Sequence, residues 1–153
     1  MTLIEFECRG HRFALPLDSV RRVVPSAMPT PLPGAPELVL GVLNLGGEIL
    51  AVIDFSRRIG LPSVGIEPSQ HLLVSDLARF PVGFLVDKVN GVTERNLHGV
   101  AVLPEQFSAA NFVESVARLD DGLCVIVDPE KFLFDDEKIL LGDAMQRVGN
   151  ANR

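Results

Sequence analysis

The feature that most restricts how this chain can fold is a Gly-Gly pair between two apolar runs, Gly41-Val-Leu-Asn-Leu-Gly46-Gly47-Glu-Ile-Leu-Ala-Val-Ile-Asp54. Glycine enters positive φ without a Cβ penalty, so two in succession between strand-like runs specify a tight two-residue hairpin. The run after the turn is apolar at almost every position, the pattern of a strand buried on both faces. Asp54 ends that run, and Asp54 to Ile59 reads as one helical turn closed by Gly60.

The rest of the chain is also dominated by β signals. Leu3 to Arg9 alternates, with Ile4, Phe6 and Cys8 on one face and Glu5, Glu7 and Arg9 on the other. Gly10-His11 makes a turn, Arg12 to Leu17 returns as its hairpin partner, and Val20 to Val24 is a short third strand. Pro25 to Pro36 is too proline-rich to pair as a strand, because each proline removes a donor; it reads as a rigid, extended connection. Strands are expected at about 41–45, 48–53, 71–75, 82–86, 89–97, 112–119 and 123–127. Asp128-Pro129-Glu130 is a helix start, with an acidic N-cap before proline. A last helix is expected over 136–148, capped by Asp135 or Asp136 and ended by Gly149. Its apolar face would be Ile139, Leu140, Ala144, Met145 and Val148.

Composition narrows the function classes. The chain of 153 residues suits a single domain, or two small subdomains sharing a core, and 47% of it is apolar. A net charge of −6 argues against a nucleic-acid surface, which rests on clustered cations; Arg21-Arg22 and Arg57-Arg58 read as solvated pairs. No stretch approaches the roughly 18 apolar residues of a membrane span, and Met1 to Glu7 lack the basic start and apolar run expected of a signal peptide. The expectation is a cytoplasmic protein with no direct membrane insertion. Cys8 and Cys124 form neither a disulfide framework nor a metal spacing, and each sits in a strand-like pattern as a small buried thiol.

A faint internal repeat runs through the chain. Phe13-Ala-Leu-Pro-Leu-Asp18-Ser-Val20 and Gly83-Phe-Leu-Val-Asp87-Lys-Val89 share a strand–Asp–Val corner. Leu50-Ala-Val-Ile-Asp54 and Cys124-Val-Ile-Val-Asp128 share a strand that exits through aspartate into a helical turn. Duplication accounts for this, and so does the general frequency of apolar strands ending in aspartate.

Residues 41–54 resemble the signature of the CheW-like domain, G-V-x-N-L-R-G-x-I-x-P-V-I-D-L. So do Phe13 to Val23, Leu32 to Leu45, Val82 to Val89 and Leu123 to Leu133, in family order. The resemblance covers about Ile4 to Phe134 and implies an all-β fold of two SH3-like five-stranded barrels sharing a hydrophobic core, with a short C-terminal helix. The expected layout is one domain over 1–150, with lobes at about 12–70 and 71–135 and the helix at 136–148. It further implies a non-enzymatic adaptor that couples the cytoplasmic tips of methyl-accepting chemoreceptors to the regulatory domain of a CheA-type histidine kinase. Association with membrane receptor arrays would then run through these partners. The alternatives are an adaptor of a non-flagellar system governing type IV pili or gliding, a divergent orphan scaffold and, further off, a small-molecule-binding module. The residues the resemblance marks for partner contact are Val20, Arg22, Val24, Asn44, Leu45 and Gly46 in the first barrel and Asp87 and Val89 in the second. Two departures stand out: Gly46 occupies the family's turn arginine, and Arg22 stands where glutamate is usual.

No constellation for catalysis is visible. His11, His71 and His98 lie in different elements without ligand spacing. There is no nucleophile elbow and no phosphate loop, and the acidic clusters at Asp120-Asp121 and Asp135-Asp136-Glu137 read as a turn and a helix N-terminus. No catalytic residue, metal or cofactor is expected. Val20, Val24 and Leu45 are the candidate apolar anchors, with Val20→Asp expected to abolish partner capture without harming the fold.

Overall fold

In a computed structural model that describes residues 1–63, 65–77, 80–95, 112–119 and 122–151, ten strands form two five-stranded sheets. The strands are β1 (Thr2–Cys8), β2 (His11–Pro16), β3 (Arg22–Pro25), β4 (Val39–Leu45), β5 (Glu48–Asp54), β6 (His71–Leu77), β7 (Phe80–Val86), β8 (Lys88–Glu94), β9 (Val113–Leu119) and β10 (Gly122–Val127). Helix α1 (Phe55–Arg58) follows β5, α2 (Asp135–Ala151) closes the described chain, and 3-10 turns lie at Leu17–Ser19 and Pro129–Lys131. The first sheet has the order β3-β6-β7-β5-β4 and the second β8-β1-β2-β10-β9.

These two orders are the same once β1 to β5 are matched to β6 to β10. In each sheet an antiparallel hairpin lies in the middle, with a parallel partner from another hairpin on one side, β10 beside β2 and β5 beside β7. The halves are not consecutive, however. The β1–β2 hairpin pairs with β8 and β10, while β6–β7 pairs with β3 and β5. The sheets therefore cut across the lobes expected at 12–70 and 71–135. Each repeat lends its first hairpin to the other's sheet.

Both sheets are covered on both faces, as the apolar runs require. In β5, Ala51 and Ile53 face the central cluster between the sheets, while Leu50 and Val52 face an outer one. In β10, Val125 and Val127 face the centre while Cys124 and Ile126 belong to a second buried cluster on the other face. The central cluster takes Phe6 and Phe13 from the second sheet and Phe84 from the first. Phe55 of α1 sits among them, with ring centroids 5.1 Å from Phe6, 5.0 Å from Phe13 and 4.8 Å from Phe132. Cys8 and Cys124 are buried, and burial pushes both thiols up to about 12.

Several local expectations are met by the backbone. Gly46 and Gly47 have φ of 61° and 93° and link Leu45 to Glu48 as a two-residue hairpin turn. Asp54 caps α1 by accepting from the Ser56 N–H, and Asp128 caps its 3-10 turn by accepting from the Glu130 N–H at 3.0 Å. The proline-rich connection is strapped to its own sheet through paired hydrogen bonds between Thr30 and Val42. Arg147 adds a bond to the Pro33 carbonyl.

Others need correction. The first hairpin turns at Arg9-Gly10, both at positive φ, so Arg9 leaves the strand. In α2 the inward residues are Leu141 and Ala144, fully buried, with Met145 partly so; Ile139 is 65% exposed and Leu140 48% exposed. The run Ile139-Leu140-Leu141 offers three apolar positions, and the helix rotates so that only the last meets the core. Its first turn is not capped by Asp135 or Asp136, since both lie within the helix; Glu137 instead reaches back to accept from the Phe134 N–H at 2.8 Å. The backbone continues through Gly149 to Ala151. His98, Asp120 and Asp121, and residues 96 and 97 of the expected strand 89–97, lie outside the described residues.

Candidate functional site

Three of the marked side chains come together at one end of the first sheet. Strand β3 lies at its edge, and alternation puts Arg22 and Val24 on the same face. That face also carries Glu48, Leu50 and Val52 of β5; Leu43 and Leu45 of β4 pack with Val24 on the outer cluster. The Gly46-Gly47 turn projects beside them, and the Asn44 side chain holds it by accepting from the Gly47 N–H at 2.8 Å. A Cβ built at Gly46 meets nothing within 4 Å, so the turn is bare on that side.

An ion-pair network joins the strand to the turn. Arg21 donates to Glu48 at 2.7 Å and lies 3.3 Å from Asp76 of β6. Arg22 lies 3.6 Å from the same Glu48 oxygen. The hydrogen bond from Arg21 holds the Glu48 carboxyl below its usual range and raises the Arg21 guanidinium. Sequence reasoning passed over Glu48 and Asp76. The signal for Glu48 is its place as the first residue after the turn, in phase with Leu50 and Val52.

The other marked residues lie elsewhere. Val20 follows the 3-10 turn at Leu17–Ser19, ahead of β3, and packs partly buried against the central cluster. An aspartate there would bring charge to the core, so Val20→Asp tests folding rather than binding alone. Val89 likewise packs against the central cluster, from β8 at the edge of the second sheet. Asp87, between β7 and β8, is part of a clasp: it accepts from the Arg9 N–H at 2.7 Å, from Arg9 Nε at 3.1 Å and from Arg9 Nη2 at 2.7 Å, and from Gln70 Nε2 at 3.3 Å. Burial alone would raise its carboxyl, but these bonds outweigh burial and hold it below the ordinary range. Arg9, with φ of 51°, is stabilised in that turn by the same contacts.

Among the described residues no group of three or more His, Cys, Asp or Glu is placed to hold a metal ion, and no helix is long and apolar enough to cross a membrane. A recess of about 350 Å³ beside the network is lined by Asp18, Asp76, Asp128 and Glu130 together with Arg21. What this end of the first sheet offers is an apolar shelf with charged groups at its rim, an arrangement suited to a protein partner.

The family model described as CheW-like domain matches residues 2–137. Chemotaxis protein CheW of Rhizobium meliloti (strain 1021) is 27% identical over 139 residues, covering 89% of this chain and 89% of that protein. Chemotaxis protein CheW of Bacillus subtilis (strain 168) is 26% identical over 133 residues, covering 86% and 85%. Protein FrzA of Myxococcus xanthus is 30% identical over 93 residues, covering 61% and 57%. Among solved structures, the scaffolding protein TtCheW from Thermoanaerobacter tengcongensis superimposes with a TM-score of 0.77 at 25% identity, covering 89% of each chain.

Proposed function

The chain belongs to the CheW-like domain family, and on that premise we propose that it couples the cytoplasmic tips of methyl-accepting chemoreceptors to the regulatory domain of a CheA-type histidine kinase. It is a chemotaxis-type adaptor and scaffold, working through protein–protein contacts without chemistry of its own. The observation that carries this reading is the family match across nearly the whole fold, joined to an exposed end of the first sheet where Val24 and Leu45 form an apolar shelf beside Arg22. Partly exposed aliphatic groups with a charged rim suit a docking surface whose anchors bury on contact. The likeness to Protein FrzA fits a second reading, an adaptor of the same kind in a non-flagellar system.

An affinity-tagged pull-down from soluble and membrane fractions, read by mass spectrometry, tests the proposal. Recovery of a histidine kinase together with methyl-accepting receptors is the expected result. Recovery of neither by the folded protein refutes the adaptor role. Leu45→Ala, which trims the shelf without bringing a charge to the cluster beneath it, is expected to reduce capture severalfold while the protein stays folded by circular dichroism.

A further inference from the structure

The charges at the rim of the first sheet are unevenly committed. Arg21 holds both nearby carboxylates, Glu48 at 2.7 Å and Asp76 at 3.3 Å. Arg22, 46% exposed, makes one ionic contact among the described residues, to the Glu48 oxygen that Arg21 already occupies, and at 3.6 Å it is beyond hydrogen-bonding reach. A guanidinium is a planar fork of five donors, always charged. This one stands in phase with Val24 on an edge strand, at the rim of an apolar shelf and beside a glycine turn that leaves the space open. The neighbouring recess is lined by Asp18, Asp76, Asp128 and Glu130, with Arg21 among them.

From this distribution we propose that Arg22 is the specificity-determining residue of the first sheet's docking surface, and that its partner is a protein segment bearing apolar groups for the shelf and a carboxylate that Arg22 pairs with directly. The proposal rests on the adaptor reading and names the chemistry its partner must carry. The charge pattern fixes the register as well as the affinity. A carboxylate placed over the recess meets four carboxylates and a single guanidinium, Arg21, that is already shared between Asp76 and Glu48, whereas one placed over Arg22 meets two donors in a fork that matches it. Glu48 is a poor competitor for that fork, since its nearer oxygen is already held by Arg21.

The test uses the full chain and the cytoplasmic-tip hairpin of a methyl-accepting receptor from the same genome, titrated by calorimetry. Arg22→Gln is expected to weaken binding about tenfold, the usual scale for one charge-assisted pair, and Arg22→Glu to weaken it further. Lys131→Gln, a control at an exposed cation on the 3-10 turn after β10, leaves affinity unchanged. Reversal of one receptor-tip carboxylate to lysine is expected to restore binding to Arg22→Glu and to no other variant. Binding of both Arg22 variants at wild-type affinity overturns the role of Arg22 while leaving the adaptor intact. Failure of the wild-type chain to bind any receptor tip removes the adaptor reading first, and this inference with it.

Discussion

The two aspartate corners of the molecule occupy equivalent places in its two repeats and do different work. Asp87, where β7 gives way to β8, receives the Arg9 backbone N–H, two Arg9 side-chain donors and Gln70, and so clasps the β1–β2 turn to the first sheet's exit. Asp18, where β2 gives way to the stretch before β3, is exposed at the rim of an acidic recess. The same strand–Asp–Val motif thus serves as a staple in one half and as open surface in the other. A shared motif fixes the path of the chain, and the partner brought to it from elsewhere fixes the role.

The largest effect is expected at the two strand exits, where the repeats also diverge. Asp54 and Asp128 both cap the turn that follows, but the next residue is Phe55 in one and Pro129 in the other. Phe55 contacts rings from both sheets, so Phe55→Ala should cost about 3–5 kcal/mol in denaturant unfolding. Pro129→Ala, which removes no ring from the cluster, should cost less than about 1 kcal/mol. Equal losses would mean that the two exits support the core alike.

The corners themselves come next. Asp87→Ala strands the Arg9 donors and should cost about 2–3 kcal/mol at neutral pH, while Asp18→Ala should stay within about 0.5 kcal/mol of wild type. The clasp also predicts a pH dependence. Because the folded-state carboxyl of Asp87 lies below its ordinary value, its stabilisation is complete above the unfolded-state value of 3.8 and is lost as pH falls through the folded-state value. The difference between wild type and Asp87→Ala should therefore shrink in acid. A gap that holds constant down to the acid transition would break the comparison. The smallest effect is expected at the hairpin turn. Gly46→Arg has room for its side chain but must hold φ near 61°, so it should cost about 1 kcal/mol of stability.

Much of this layout was legible in the sequence where local chemistry decides it. The Gly46-Gly47 turn, the Asp54 and Asp128 caps and the doubly buried strand β5 follow from φ freedom, N-cap hydrogen bonding and unbroken apolarity. The exchange of hairpins between repeats was not, because alternation reports which face is buried and not which strand lies alongside. Three adjacent apolar residues left the rotation of α2 open until Leu141 met the core. In the candidate site, Arg22, Val24 and Leu45 were found through resemblance and share one end of the first sheet. Val20 and Val89 pack against the central cluster and Asp87 holds the clasp, away from that end. Arg9 was missed as the partner of Asp87 because 78 positions separate them.

The most direct test of the central claim is a three-component sedimentation with receptor-containing membranes, the CheA-type kinase and this chain. The account predicts that kinase pelleted with the membranes rises severalfold when the chain is added, and falls back with Leu45→Ala. Kinase sedimentation unchanged by the wild-type chain would contradict it.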